Sequence, residues 1–200
     1  MSHLPEFTRR VVDWTPWIET IDDIDAAPDQ LAIVDEIVGG RKTGRTYWAA
    51  LAHDADVLRH RHDLFPETLR DKADEGGSPR ADLELSAVAG SRVTGCVYCA
   101  SVHARAYVQL AQNAELIDAV LADGGAAAIP DREHALVAFS AKLSEAPHDI
   151  TASDLTPMRD AGFSDLEIYD IAHASAMFAW ANRLLLTLGG QTVDREAAAE

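Results

Sequence analysis

Apolar residues in this chain recur at three- and four-residue intervals, and nowhere do they alternate over the length of a β-strand. That period lets an α-helix bury one face, and it excludes a sheet-dominated architecture. Residues 29–38 (DQLAIVDEIV) show the pattern, with apolar positions at Leu31, Ile33, Val34, Ile37 and Val38 and a stop at Gly39-Gly40. Further helices are expected over 43–53, 55–71, 79–92, 96–112, 114–122, 130–145, 151–161 and 164–188. Gly95, Gly124-Gly125, Gly162 and Gly189-Gly190 punctuate them. Ser78 is placed to cap the helix that opens with Pro79, and Ser164 to cap the last one. Thr151 and Asp154 read as a capping box of the acidic kind. The 35 Ala against 13 Val and 10 Ile favour the same conformation, since Ala loses no side-chain entropy in a helix. The fold class expected is all-α. Residues 74–79 (DEGGSP) read as a loop inside one domain, because the helices before them are too few to bury their own faces. Residues 1–28, with Trp14 and Trp17 and no period, read as an arm laid over something apolar; 29–190 form the helical domain, and 191–200 a polar, fraying tail.

Charge excludes whole classes of partner. With 33 acids against 17 bases the formal net charge is −16, which repels phosphate backbones and anionic lipid, so neither nucleic acid nor a membrane is expected as partner. No apolar run reaches the roughly 18 residues that a membrane span requires. The opening MSHLPEFTRR carries no secretory pattern, and a cytoplasmic protein is expected. Only two cysteines occur, three positions apart. A bridge closing so short a loop adds little stability, and cytosolic disulfides are usually catalytic, so the pair points to chemistry rather than to a staple.

That chemistry concentrates in residues 84–107, ELSAVAGSRVTGCVYCASVHARAY. On a helix of about 100° per residue, Cys96, Cys99, His103 and Tyr107 share a stripe about 80° wide. Cys96 falls at the helix start, where unpaired N–H groups and the helix dipole favour an anion and so lower a thiol's pKa. His103, four residues past Cys99, can take a thiol proton or stabilise the thiolate. If the helices on either side of Gly95 pack antiparallel, Glu84 reaches the His103 region and orients the imidazole. Thiol, imidazole and carboxylate then form a proton relay.

Glu84, the Cys96-Val97-Tyr98-Cys99 motif and His103 together resemble the active-site signature of the alkylhydroperoxidase AhpD-like proteins of the carboxymuconolactone decarboxylase superfamily. Residues 47–70 and 130–190 resemble its peroxidase-related branch, notably Asn182-Arg183-Leu184 and Ala161-Gly162-Phe163-Ser164. The resemblance implies an all-helical fold, a trimer or hexamer, and a hydroperoxide substrate. Carried over, Cys99 is the peroxidatic thiol, Cys96 the resolving one, and Glu84 and His103 serve the relay. The only redox group implied is the Cys96–Cys99 disulfide, reduced by an external dithiol of unknown identity; no other cofactor and no metal is expected. AhpD itself has His where this chain has Tyr98, whose phenol can hydrogen-bond but is no base near neutral pH. An ideal helix turns Tyr98 away from the stripe.

Other readings stand beside this one. The two thiols could be small, buried and inert. Cys96, Cys99, His103 and Glu84 could ligate zinc, although no second ligand pair follows. The same dithiol could serve a dithiol–disulfide oxidoreductase acting on a protein or small-molecule disulfide, whereas decarboxylation would leave it superfluous. The run Arg59-His60-Arg61-His62-Asp63 reads as a solvated face, its histidines on different sides of the helix. Met177, Phe178 and Trp180 read as core or subunit interface. Trp14 and Trp17 fit either a cover on the active-site mouth or a contact with a neighbouring subunit.

Overall fold

The computed structural model describes residues 6–39 and 44–193. The expected positions of Gly40 and Thr43, and the tail from residue 194, lie outside the described residues. The helices are α1 (Pro28–Val38), α2 (Arg45–Leu51), α3 (Ala55–Thr68), α4 (Arg80–Thr94), α5 (Val97–Ala111), α6 (Ala114–Asp123), α7 (Asp131–Glu145), α8 (Thr156–Asp160) and α9 (Asp165–Leu188). The all-α fold is thus as the periodicity predicts.

Helix α4 is the axis of the molecule. Every residue from Asp82 to Ser91 is buried, and α5, α7 and α9 pack around it. Its small residues allow this close approach. A Cβ on Gly90 would strike the Ser144 hydroxyl of α7. Toward α9 a buried polar ladder joins Ser86 to Ser175 at 2.9 Å, Ser91 to the Asn182 carbonyl at 3.2 Å, and the Asn182 amide to Thr94 at 2.9 Å. Each rung satisfies groups that would be costly to bury unpaired, so the ladder sets the register of the two helices. A second apolar cluster, with Ile21, Ile33, Val34, Ala49 and Leu58, ties α1, α2 and α3 together.

Three local expectations are corrected. Ser78 does not cap α4: its N–H and hydroxyl are held by Asp170 and the Glu167 carbonyl of α9, and Asp71 accepts the Arg80 N–H instead. The expected helix 151–161 is a 3-10 turn, Ala152–Leu155, followed by the short α8, because Pro157 lacks the N–H that would continue the ladder. The Thr151–Asp154 box is formed, with the Thr151 N–H donating to the carboxylate at 2.7 Å.

The third concerns strands. Val12–Pro16 (β1) and Gly189–Val193 (β2) pair antiparallel, Trp14 opposite Gln191. Neither is visible in the sequence, since a five-residue ribbon made from the two ends of the chain has no local alternation to display. Gly189 therefore does not stop α9 in a left-handed turn but enters β2 extended, with φ −169°. A Cβ there would overlap the Trp14 ring and the Thr15 carbonyl.

Candidate active site

Gly95, at φ 86°, reverses the chain between α4 and α5, and the Cys96 N–H returns to the Ser91 carbonyl at 2.9 Å. Only a residue without a Cβ adopts this conformation freely. The resulting antiparallel hairpin lays Glu84 of α4 against His103 of α5, with 2.5 Å between Oε2 and Nδ1. Facing a carboxylate, Nδ1 carries the hydrogen, which leaves Nε2 as the free base. Both groups are buried, and Phe178 stacks edge-on against the imidazole at 4.2 Å between ring centres. Burial pushes the Glu84 carboxyl up, but the His103 bond and the Arg80 guanidinium at 3.0 Å outweigh it and hold Glu84 below its usual value.

Cys96 and Cys99 are both buried and both free. Cys96 is the N-cap of α5 rather than part of its stripe. Its sulfur accepts the Cys99 S–H first; burial opposes the charge, and the Cys99 and Tyr98 backbone N–H groups favour it, so the thiol is shifted down. Cys99 is shifted up, by the bond that it donates to Cys96 and by burial. Within the reduced pair Cys96 is therefore the more acidic thiol, and Cys99 holds its proton the more tightly.

The surroundings come from the rest of the chain. Trp14, Tyr47, Ala50 and Leu185 enclose the two sulfurs, and the Trp14 indole N–H donates to the Leu185 carbonyl at 2.9 Å. Trp14 is thus the cover, while Trp17 remains 69 % exposed. Tyr98 is not turned away: its ring tilts over Tyr47 at 6.4 Å and packs on the thiol cluster. A side chain in the first turn leans back over the helix start, which the flat projection ignores. The Tyr98 N–H donates to the Gln191 side chain at 2.7 Å, so β2 clamps the head of α5. Gln191, expected at the start of the polar tail, is thus part of the site. Arg61 corrects the reading of 59–63 as a solvated face. Arg59, His60 and Asp63 are exposed and His62 half-buried, but Arg61 is only 5 % exposed and donates to the Tyr47 hydroxyl at 3.2 Å. Phe178, Tyr47, Arg61 and Gln191 carried no spacing signal relative to the CxxC motif. Tyr107 shares the buried face but lies outside the thiol cluster. Among the described residues no group of three or more His, Cys, Asp or Glu is placed to hold a metal ion, and Glu84 and His103 are engaged with each other.

The fold and site define a helical dithiol protein with a buried carboxylate–imidazole pair one helical turn from its second cysteine. Residues 63–141, which include Glu84, both cysteines and His103, match the Carboxymuconolactone decarboxylase family. A crystal structure titled alkylhydroperoxidase AhpD core, an uncharacterized peroxidase-related protein from Ralstonia eutropha JMP134, is 27% identical, with a TM-score of 0.67 over 81% of this chain and 84% of that one. An uncharacterized peroxidase-related protein from Silicibacter sp. TM1040, 22% identical, shares the fold with the same TM-score over 88% of this chain and 94% of that one. A comparison with curated proteins finds no match. Over residues 63–141 the chain is thus similar to that family, and its fold is that of the two peroxidase-related proteins. No helix among the described residues is long and apolar enough to cross a membrane.

Proposed function

We propose that the protein is a thiol-dependent peroxidase that reduces hydroperoxides through Cys99 and Cys96. The observation that carries this reading is the buried 2.5 Å Glu84–His103 pair, whose imidazole lies on the helix of the dithiol, one turn beyond Cys99. A relay of this kind serves proton movement, which neither inert thiols nor a structural staple needs.

The Cys99 sulfur attacks the distal peroxide oxygen. The O–O bond breaks, and the leaving alkoxide or hydroxide takes the proton given up by Cys99 through His103. Cys99 is now a sulfenic acid. Cys96, the more acidic thiol at the helix N-terminus, then attacks the Cys99 sulfur; the S–S bond forms, and the leaving hydroxide takes the proton given up by Cys96 through the relay and departs as water. The dithiol has lost two electrons and the hydroperoxide has become alcohol and water. An external dithiol restores the pair by exchange, and the assembly expected is a trimer or hexamer.

Burial of both sulfurs favours a small oxidant over a protein disulfide. The test is a single turnover of reduced protein with hydrogen peroxide and with an organic hydroperoxide, counting free thiols by mass. Loss of both thiols to one intramolecular disulfide, far faster than free cysteine reacts, is expected. Slow loss with both peroxides, and fast loss with a disulfide oxidant, would transfer the assignment to dithiol–disulfide exchange.

A further inference from the structure

Among the described residues, Arg61 is a buried cation without a counter-ion. Its Nε and Nη1 are shielded from solvent and have no hydrogen-bond partner among the described residues, and its single bond goes to the neutral Tyr47 hydroxyl. Aromatic faces surround it instead: the guanidinium carbon lies 4.6 Å from the Phe65 ring centre, 4.8 Å from Trp48, and 5.6 Å from both Tyr47 and Trp180. Such contacts offset part of the desolvation of a guanidinium but do not neutralise it. A fixed positive charge is thus kept in apolar surroundings, at a cost to the fold, beside the cluster that encloses the sulfurs.

The thiol pair has the matching deficit. The first-turn N–H groups of α5 serve Cys96, and Cys99 keeps its proton only until it attacks. The ionisable groups that face Cys99 are Cys96 and Tyr98 from the head of α5, Tyr47 from α2 and Arg61 from α3, while His103 lies one turn further along α5. From β1 and α9 come Trp14 and Leu185, which carry no charge. Arg61 is the one permanent cation among them. Tyr47 stands between the two: it accepts from Arg61, and its own hydroxyl hydrogen is left to donate.

We propose that Arg61 is the resident counter-cation of the charge that develops on Cys99, a positioning residue that acts through Tyr47 and through its field. This rests on the reading of Cys99 as the attacking thiol. The guanidinium waits unpaired in the reduced dithiol and gains its partner only as the Cys99 proton leaves, so its effect is confined to the reacting form.

The experiment uses the Cys96→Ser protein, in which Cys99 is the one thiol, and follows its alkylation by the neutral reagent iodoacetamide from pH 6 to 10. Adding Arg61→Met should move the ionisation midpoint up by about one pH unit and slow alkylation near neutrality about tenfold, leaving the alkaline plateau unchanged. Thermal stability should stay level or rise, because an apolar side chain of similar length replaces an uncompensated charge. Arg61→Lys should return the midpoint toward that of the parent. An unmoved midpoint in Arg61→Met, or equal shifts in the Met and Lys variants, would overturn the inference. If Arg61→Met does not fold, Arg61→Gln is read against the same two outcomes. Alkylation requires no peroxide, so a shifted midpoint in a protein inert to hydroperoxide would retain this inference and remove the peroxidase reading.

Discussion

At the residue scale, the two cysteines of one motif are made unequal by where α5 begins. Cys96 occupies the N-cap and collects backbone N–H groups, whereas Cys99 lies within the first turn and donates to it. Replacing Cys99 by Ser should abolish turnover, while Cys96→Ser should complete one round and stop at the sulfenic acid, which a dimedone adduct would reveal by mass. Full steady-state activity in Cys99→Ser would remove the assignment. Glu84 yields a prediction about stability and pH. Its carboxyl is held below the usual 4.5, so its contribution to folding is complete above that value and is lost as pH falls through the lowered one. Glu84→Gln should cost about 1–3 kcal/mol at neutral pH, and denaturation curves of the two proteins should converge in acid. A difference independent of pH would mean that packing, not charge, explains the position. His103 and Glu84 were legible from spacing, because the hairpin that joins them turns at the single residue Gly95. Arg61 was not, because its neighbours in sequence are solvated and only packing decides that this one turns inward.

At the element scale, the β1–β2 ribbon is what closes the site. It presses Trp14 onto the sulfurs and brings Gln191 to the head of α5. The tight point is Gly189, where any side chain meets Trp14 and the Thr15 carbonyl. Gly189→Val should therefore cost about 1–3 kcal/mol through overpacking, measured by urea denaturation. The same variant should speed alkylation of the native thiols, because Trp14 is displaced. Unchanged stability together with unchanged thiol reactivity would show that the ribbon does not cover the pair. Helix boundaries were read closely where Gly or a capping residue marks them, as at Gly95 and Ser164. They failed at Ser78, where a tertiary partner took over the side chain that local rules assign to a cap.

For the whole molecule, α4 connects the main core to the site: the residues that pack on α7 and α9 lie on the helix that also presents Glu84. Leu85→Ala should cost about 2–5 kcal/mol and leave one cooperative transition, seen alike by circular dichroism and by tryptophan fluorescence. An earlier transition confined to the tryptophans would show that the cluster around Trp14 unfolds by itself. The sequence alone determined the succession of helices, the reversal at Gly95 and the carboxylate–imidazole–dithiol line, because each depends on contacts within one helix or one hairpin. The tertiary structure alone decided which tryptophan covers the sulfurs, how β1 finds β2, and that Arg61 turns inward among aromatic rings. Those contacts join residues remote in the chain, as Trp14 and Leu185, 171 positions apart. Nothing in local spacing encodes such a meeting, which is set by how the helix faces pack around α4.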